Sequence, residues 1–324
     1  MDANGNMAGD VALSIVIVNW KSADFLRKCL QSIFANAGDL SLEVIVVDNA
    51  SFDGSAELVE REFPGVHFVQ SKENLGFAGA NNLGVRSANG RNLLFLNPDT
   101  EVIGTALERM SSFLDATPNA GAVGCKLLNT DGTVQTSCIQ PFPTILNQAL
   151  DTEFLRKMFP KSRLWGMEPL LGDPQGPSEV EMISGACLLI RRHVFEQVGC
   201  FDTKYFMYTE DVDLCYKVWR AGWKNYYVSS ATVTHHGGRS SSAKPESHFA
   251  TVMQRKSKLK FFSCYRGAVY AFLYRITMGC IALLRLFIVG LVFLPTLGLL
   301  RRPVLTQILH KWTMVLRWAI GLEA

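Results

Sequence analysis

The chain has 324 residues, 48% hydrophobic and 19% charged, which excludes a disordered, collagen-like or fibrous protein and allows one large α/β domain or two modest ones. The net charge of +3 hides an asymmetry: residues 255–324 carry 11 Lys/Arg against Glu323 alone, and residues 1–254 carry 21 basic against 28 acidic residues. Because the basic tail is also the most apolar part of the chain, it suits a membrane surface rather than nucleic acid, whose binding arms are basic and polar.

Residues 1–10 have neither a basic n-region nor an apolar h-region, so no secretory signal is expected and they read as a disordered leader. From residue 11 strands and helices alternate. Leu13–Val18 (LSIVIV) is a β-branched run of the kind found in a parallel strand buried on both faces. Ser22 is placed to cap a helix whose apolar face is Phe25, Leu26, Cys29, Leu30 and Ile33. Leu42–Val47 is a second buried strand ending at Asp48, followed by a helix over Ser55–Phe63 and a strand over Val66–Gln70. A helix over Phe77–Ala88 precedes a strand at Leu93–Leu96 that ends in Asn97-Pro98-Asp99. Ala106–Asp115 reads as a helix and Gly121–Leu127 as a strand. Residues 139–180 are rich in Pro and Gly and read as a long irregular excursion. Regularity returns with a strand over Met182–Arg191, helices over His193–Val198 and Asp211–Ala221, and a strand over Lys224–Val233. Ser240–Glu246 reads as a mobile lid. The series calls for a right-handed, mostly parallel sheet covered by helices, with ligands beyond the carboxyl ends of its strands.

The eight cysteines are scattered, without a C-x-x-C pair or a His/Cys ligand spacing. They fit small core residues in a reducing compartment better than a disulfide framework or structural zinc.

Four clusters could carry chemistry: Asp48 in VVDNAS, Asp99 in FLNPDT, Glu210/Asp211/Asp213 in YTEDVDL, and His235/His236 in VTHHGGRS. Singly, each has a structural alternative: a helix cap for Asp48, a turn for Asn-Pro-Asp, helix-dipole charge for the acidic trio, and an ordinary strand-end histidine. Together, strand-end carboxylates and an imidazole suit a hard divalent cation on diphosphate oxygens. The loop from Asn74 to Asn82 (NLGFAGANN) offers small residues where a helix begins, so backbone could approach a ligand there. It is not G-x-G-x-x-G, which argues against a nicotinamide or flavin site.

The segments VVDNASFDGS, ENLGFAGANNLG, LFLNPDT, ISGACLLIRR and FMYTEDVDLCYKVWRAGW, with His235, Gly238 and Ser240 in an H-x-x-G-x-S pattern, resemble family 2 glycosyltransferases in the expected order across residues 11–260. Within the family, the resemblance is to bacterial rhamnosyltransferase-like enzymes of O-antigen and cell-wall glycan synthesis. It implies a GT-A-type fold and inverting transfer from a nucleotide-diphospho-sugar. By this resemblance Asp48 hydrogen-bonds a pyrimidine ring, while Val18, Asn19, Asn74, Gly76, Phe77 and Asn81 line the nucleotide pocket. Asn97 and Gly185 join the substrate site. Asn97-Pro98-Asp99 stands where the family has Asp-x-Asp, leaving Asp99 with His235 as the groups for Mg²⁺ or Mn²⁺. Asp211 is implied as the catalytic base, with Glu210 beside it as the second candidate. The absence of Gln-x-x-Arg-Trp favours addition of one sugar or few over processive synthesis. The subgroup resemblance favours dTDP-rhamnose as donor, and UDP- or other dTDP-sugars stay open.

The competing reading is a catalytically idle, membrane-docked nucleotide-sugar-binding or scaffold protein, against which the joint presence of Asp99, Asp211 and His235 argues. A nucleotidyltransferase would need a basic Gly-rich N-terminal loop, which Ile17–Lys21 is not.

Residues 11–254 are thus expected to be the catalytic domain and 255–324 a membrane-associating helical region. Ile276–Leu300 is long enough to span but is interrupted by Arg285 and Pro295 and flanked by basic residues on both sides. Residues Val304, Leu305, Ile308, Leu309, Trp312, Val315, Leu316, Ala319 and Ile320 share one helical face, the pattern of a helix lying in the interface. The expectation is peripheral or monotopic attachment to anionic lipid on the cytoplasmic face of the inner membrane, near a lipid-linked saccharide acceptor.

Overall fold

A computed structural model describes residues 11–171, 176–237, 248–293 and 302–322; the leader and the Ser240–Glu246 segment expected to form a lid lie outside the described residues. The β-branched run forms β1 (Leu13–Asn19), buried along its whole length. Helix α1 (Ala23–Ala35) buries Leu26, Cys29, Leu30 and Ile33 on the expected face. Its cap differs from expectation. The Ser22 hydroxyl donates to the Trp20 carbonyl, and it is Asp53 Oδ2 that accepts the Ala23 amide at 3.0 Å. A tertiary carboxylate has replaced the local cap.

The chain continues through β2 (Leu42–Asp48), α2 (Ser55–Glu62), β3 (His67–Gln70), α3 (Gly76–Val85), β4 (Asn92–Leu96), β5 (Thr100–Ile103), α4 (Ala106–Ala116) and β6 (Ala120–Leu128). The excursion is more regular than its composition suggests, holding β7 (Ile139–Gln140), α5 (Ile145–Leu150), α6 (Glu153–Met158) and β8 (Ser178–Val180). Met182–Arg191 is two strands rather than one, β9 (Met182–Ile183) and β10 (Cys187–Arg191), separated by a turn at Ser184–Ala186. There follow α7 (Arg192–Gln197), α8 (Glu210–Arg220), β11 (Lys224–His235), α9 (His248–Arg266), α10 (Ala268–Phe293) and α11 (Arg302–Ala319).

The main sheet has the order β3-β2-β1-β4-β10-β6-β11-β5, with β8 also pairing to β11. The pairs β3–β2, β2–β1, β1–β4 and β6–β11 are parallel, and β10 runs antiparallel between β4 and β6. This is the mostly parallel, helix-covered sheet that the alternation of strands and helices called for. Strand β5 was not expected; it pairs antiparallel with β11 and sets Thr100 opposite His235.

Two compact units divide the chain: residues 1–142, 158–206 and 210–241 form one, and residues 143–157, 207–209 and 242–324 the other. Residue 254, the boundary suggested by charge, falls inside α9. In the helical unit, Phe261, Phe262, Tyr274, Val315 and Trp318 are buried, and Tyr274 meets the rings of Phe262 and Trp318 at 4.8 and 6.0 Å. Arg275 donates to the Trp318 and Ala319 carbonyls, both at 2.9 Å, satisfying the open carbonyls at the end of α11. Trp312 and Val315, on the face expected to meet lipid, are buried as well. Ile320 of that face is exposed, and α10 exposes an apolar stripe through Phe272, Ile276, Leu283, Phe287 and Leu291. Helix α10 is apolar almost all round, so packing one side leaves another uncovered.

Candidate active site

The last residues of the first three strands form one row, because Asn19, Asp48 and Gln70 are in register across β1, β2 and β3. Asn19 Nδ2 donates to Asp48 Oδ1 at 2.9 Å and Gln70 Nε2 to Asp48 Oδ2 at 2.7 Å. The Asp48 carboxylate also accepts from the Ser51 hydroxyl, the Ser51 and Phe52 amides at 3.1 and 3.2 Å, and the Ser55 hydroxyl. Burial raises its pKa, but the donors from Ser51, Gln70, Asn19 and Phe52 outweigh it and hold the carboxyl below its ordinary value. Asp48 is fully buried, and its oxygens are spent on the turn that follows β2, where Ala50 and Phe52 adopt positive φ. Asn19 differs: its Nδ2 is shared among Asp48, Ser51 and Asp53, while its buried Oδ1 has no partner among the described residues. Val18 precedes it on the same strand, 8% exposed.

The small-residue loop closes on protein. Asn74 Oδ1 accepts the Gly76 amide and Asn49 Nδ2, both at 2.9 Å, and Asn49 Oδ1 accepts the Leu75 amide at 2.8 Å. Gly76 has φ +69°, and a Cβ there would lie 2.2 Å from the Phe206 carbonyl oxygen, which accepts the Phe77 amide at 3.0 Å. The glycine is needed for that backbone approach. Asn81 donates back to the Phe77 carbonyl at 2.9 Å and is buried. These residues build the wall beside the strand ends.

Asp99 and His235 come together because β5 returns along β11. Asp99 Oδ1 lies 3.4 Å from His235 Nε2, and neither carboxylate oxygen has a hydrogen-bond partner among the described residues although the side chain is fully buried. The Asn97 amide nitrogen Nδ2 stands 3.3 Å from the same Nε2. The other ring nitrogen, Nδ1, faces Gln135 Oε1 at 2.9 Å, and Gln135 Nε2 donates to the His235 carbonyl at 2.6 Å. This network assigns the proton to Nδ1 and the lone pair to Nε2. No motif marked Gln135, which lies in an irregular turn. His236 turns away to Glu101, 2.6 Å from Oε1. A buried carboxylate lacking donors, beside an imidazole lone pair, fits a divalent cation. Among the described residues no group of three or more His, Cys, Asp or Glu could enclose one, so phosphate and water oxygens would have to complete the shell.

The acidic trio separates by environment. Asp213 is fully buried between Lys204 at 3.5 Å, Lys217 at 3.3 Å and the Tyr205 hydroxyl at 3.1 Å, a structural ion-pair cluster. Glu210 is buried too, and burial first, then the charges of Asp211 and Asp213, push its carboxyl well above the ordinary range. Asp211 is only partly buried. Its Oδ1 accepts the Val212 amide at 2.8 Å and its Oδ2 the Gly185 amide at 3.0 Å. The turn between β9 and β10 makes that second contact, and the neighbouring Ala186 carbonyl accepts the Asn97 amide at 3.0 Å. Tyr208 and Thr209, just before α8, hold φ of 66° and 75°, uncommon for side-chain-bearing residues and frequent at functional sites.

Residues 14–199 match the profile of Glycosyl transferase family 2, and residues 152–322 that of Glycosyl transferase family group 2. The N-acetylglucosaminyl-diphospho-decaprenol L-rhamnosyltransferase of Mycobacterium tuberculosis is 32% identical over 254 residues, covering 74% of this chain and 80% of that one. The chain belongs to glycosyl transferase family 2. It is a glycosyltransferase of the rhamnosyltransferase-like kind. Rhamnosyltransferase WbbL of Escherichia coli is 26% identical over 68% of this chain and 82% of its own. Among solved structures, a mannosyltransferase from Pyrobaculum calidifontis in complex with GDP-Man and Mn²⁺ superimposes with a TM-score of 0.60 at 16% identity, covering 96% of this chain and 86% of that one. That likeness is one of fold.

Proposed function

We propose that this family 2 glycosyltransferase moves rhamnose from dTDP-rhamnose, with inversion, to a hydroxyl of a lipid-linked saccharide at the cytoplasmic membrane surface. The observation that carries the reading is the turn between β9 and β10, which holds Asp211 through the Gly185 amide and Asn97, two residues before Asp99, through the Ala186 carbonyl. Asp211 is oriented by the Gly185 amide, and Asp99 is buried with both oxygens unbonded among the described residues. The acceptor and the sugar follow the Mycobacterium tuberculosis relative, whose name specifies a decaprenol diphosphate carrying N-acetylglucosamine and transfer of L-rhamnose.

In this reading Asp211 accepts the acceptor hydroxyl proton as the new C–O bond forms and the sugar–phosphate bond breaks. The Gly185 amide holds its Oδ2 and leaves a partly exposed carboxylate for that role, whereas burial raises the Glu210 carboxyl well above its ordinary range. Asp99 and His235, with Asn97 and Gln135 fixing the imidazole, would hold Mg²⁺ or Mn²⁺ on the donor diphosphate, and such a cation stabilises the charge of the leaving nucleoside diphosphate. Asn19 Oδ1 offers the nucleotide an acceptor that Asp48 no longer has.

The test is to supply the full-length protein in detergent with a panel of nucleotide-sugars and polyprenyl-diphospho-N-acetylglucosamine. Acceptor-dependent release of dTDP with a glycolipid heavier by one deoxyhexose is the expected result. Donor binding without any acceptor-dependent release would instead establish the idle scaffold reading.

A further inference from the structure

Two side chains touch the His235 ring, and they do different things to it. Gln135 Oε1 accepts from Nδ1 at 2.9 Å while Gln135 Nε2 donates to the His235 carbonyl at 2.6 Å, so this one residue sets both the ring plane and its tautomer. Asn97 Nδ2 lies 3.3 Å from Nε2, the ring nitrogen left with a lone pair. A side-chain amide nitrogen can only donate, and an unprotonated imidazole nitrogen can only accept. Asn97 therefore engages the very lone pair that a cation would need.

The backbone of Asn97 is pinned on both sides. Its N–H donates to the Ala186 carbonyl at 3.0 Å, and its carbonyl accepts from the Thr100 hydroxyl at 2.7 Å and the Cys29 thiol at 3.7 Å. Asn97 is nevertheless only partly buried, unlike Leu96 and Pro98 on either side of it. Rotation about its side-chain bonds can move the amide without moving the strand end. Asp99 faces the same nitrogen, with Oδ1 3.4 Å from Nε2 and neither oxygen hydrogen-bonded among the described residues. Two acceptors thus oppose each other, and one neutral donor serves only the imidazole.

For His235 Nε2 to ligate a cation, the Asn97 side chain must give up that lone pair and lose its acceptor, a cost set against the new bond. Phosphate oxygens are acceptors, so a nucleoside diphosphate arriving with the cation offers the displaced amide a new partner and adds negative charge to the single carboxylate of Asp99. An aspartate at position 97 would behave otherwise, because a carboxylate donates nothing to Nε2 and is itself a ligand for hard cations.

We propose that Asn97 makes cation binding conditional on the nucleotide, so that Asp99 and His235 take up the ion together with a nucleoside diphosphate rather than alone. This rests on the cation of the proposed function and adds that the site discriminates against the free ion.

The experiment is isothermal calorimetry on the full-length protein in detergent. Mn²⁺ is titrated alone and at saturating dTDP, with UDP in parallel, and titrations of Mn²⁺ into nucleotide without protein correct for the complex formed in solution. The parent is compared with Asn97→Ala, Asn97→Asp and Asp99→Asn, with the thermal unfolding midpoint as folding control. The parent is expected to bind Mn²⁺ at least about tenfold more tightly with nucleotide than without. Asn97→Ala, which frees the lone pair without adding charge, should bind Mn²⁺ alone about two- to tenfold more tightly than the parent, and Asn97→Asp more tightly still. In both variants the gain from nucleotide should shrink. A residue that merely orients the imidazole gives the opposite sign, since its loss would weaken Mn²⁺ binding in both titrations. A folded Asn97→Ala protein that binds Mn²⁺ alone no better than the parent, or a parent indifferent to both nucleotides, overturns the proposal; loss of Mn²⁺ in Asp99→Asn would then leave the cation site itself standing. Unchanged Mn²⁺ binding in Asp99→Asn overturns the cation site and this proposal with it. No sugar is transferred in these titrations, so failure of the enzyme with dTDP-rhamnose would overturn that donor and leave this result standing.

Discussion

Gly185 donates its amide to Asp211 Oδ2 at 3.0 Å, and a Cβ added at Gly185 would lie 3.2 Å from the Asp211 Cβ. The residue named by sequence as part of the substrate pocket is therefore a positioning residue for the candidate base. Asp211→Asn is expected to lower turnover by a factor on the order of 10²–10⁴ with donor affinity retained. Gly185→Ala should lower kcat by about tenfold by tilting the carboxylate, since small misplacements of a reacting group are expensive. Steady-state kinetics on both variants checks this; near-normal turnover in Asp211→Asn would remove the residue from the chemistry.

How far the sequence could be read depended on whether a residue's environment was local. β1 was legible because a strand covered on both faces must be apolar throughout, and LSIVIV is. Asp99, Asp211 and His235 were legible as carboxylates and an imidazole at the ends of regular elements. The contacts between them were not. β5 has only four residues and no alternation to mark it, yet its pairing to β11 is what brings Asp99 to His235. Gln135 has no motif, and its role arises from a contact a hundred residues away in sequence. Ser22 looked like a cap, but Asp53 took the Ala23 amide through a tertiary contact. The amphipathic pattern of α11 was read as a face for the membrane interface, yet Trp312 and Val315 of that face are buried in the helical unit while Ile320 is exposed, a division that periodicity does not show.

Asp48→Asn tests the anchoring role of the first cluster. The amide cannot accept on both sides as the carboxylate does, so buried donors from Ser51, Phe52 or Gln70 lose their partner, at about 3 kcal/mol. The folded-state pKa of Asp48 is depressed, so its contribution to stability is full above the unfolded carboxyl value of 3.8 and is lost as pH falls through the lower folded value. Thermal melts across acidic pH should show the parent losing this increment and Asp48→Asn lacking it. Equal midpoints at neutral pH would contradict the anchoring role.

Glu210 gives the opposite sign. Its folded-state pKa is raised, so the native state is favoured below the unfolded value of 4.5 and that advantage is lost as pH rises through the folded value. Glu210→Gln, which cannot ionise, should therefore raise the melting temperature at neutral and alkaline pH and flatten its pH dependence there. It should also retain more turnover than Asp211→Asn. A larger kinetic loss in Glu210→Gln would transfer the base to that position.

The imidazole clamp predicts a graded metal response. Asp99→Asn should abolish stimulation by Mn²⁺ or Mg²⁺, and EDTA should silence the parent enzyme. Gln135→Ala frees His235 Nδ1 and should weaken apparent metal affinity by about tenfold to a hundredfold while leaving the maximal rate at saturating metal close to the parent's. Metal titrations of activity, with calorimetry of Mn²⁺ binding in the presence of nucleoside diphosphate, separate the two effects. Full activity of the parent in EDTA would remove the cation from the reaction.

The proposed membrane attachment can be tested on the exposed stripe of α10. Among the described residues Ala268–Leu291 is the one helix long and apolar enough to cross a membrane, but its inner face is committed to α9 and α11 by Tyr274, Met278 and Ala282. A helix with one side in a protein core and the other exposed through Phe272, Leu284 and Phe287, which are 62%, 58% and 64% exposed, suits partial burial in the interface better than a lone span. Removing the region is a poor test, since a cut at residue 254 would divide α9, and residues 143–157 belong to the same unit. Replacing exposed positions is cleaner. Leu284→Asp with Phe287→Asp places two carboxylates on the stripe without touching the packed face, so the melting temperature should change little while the protein moves from the membrane to the soluble fraction. The basic residues of the tail should add a salt-sensitive part to the parent's attachment, weakened but not removed by high salt, because the apolar contact is not screened. Fractionation at low and high salt without detergent, followed by sodium carbonate extraction, reads out all three. A parent protein that stays soluble at low salt, or a double variant still held on the membrane, would show that the stripe does not carry the attachment.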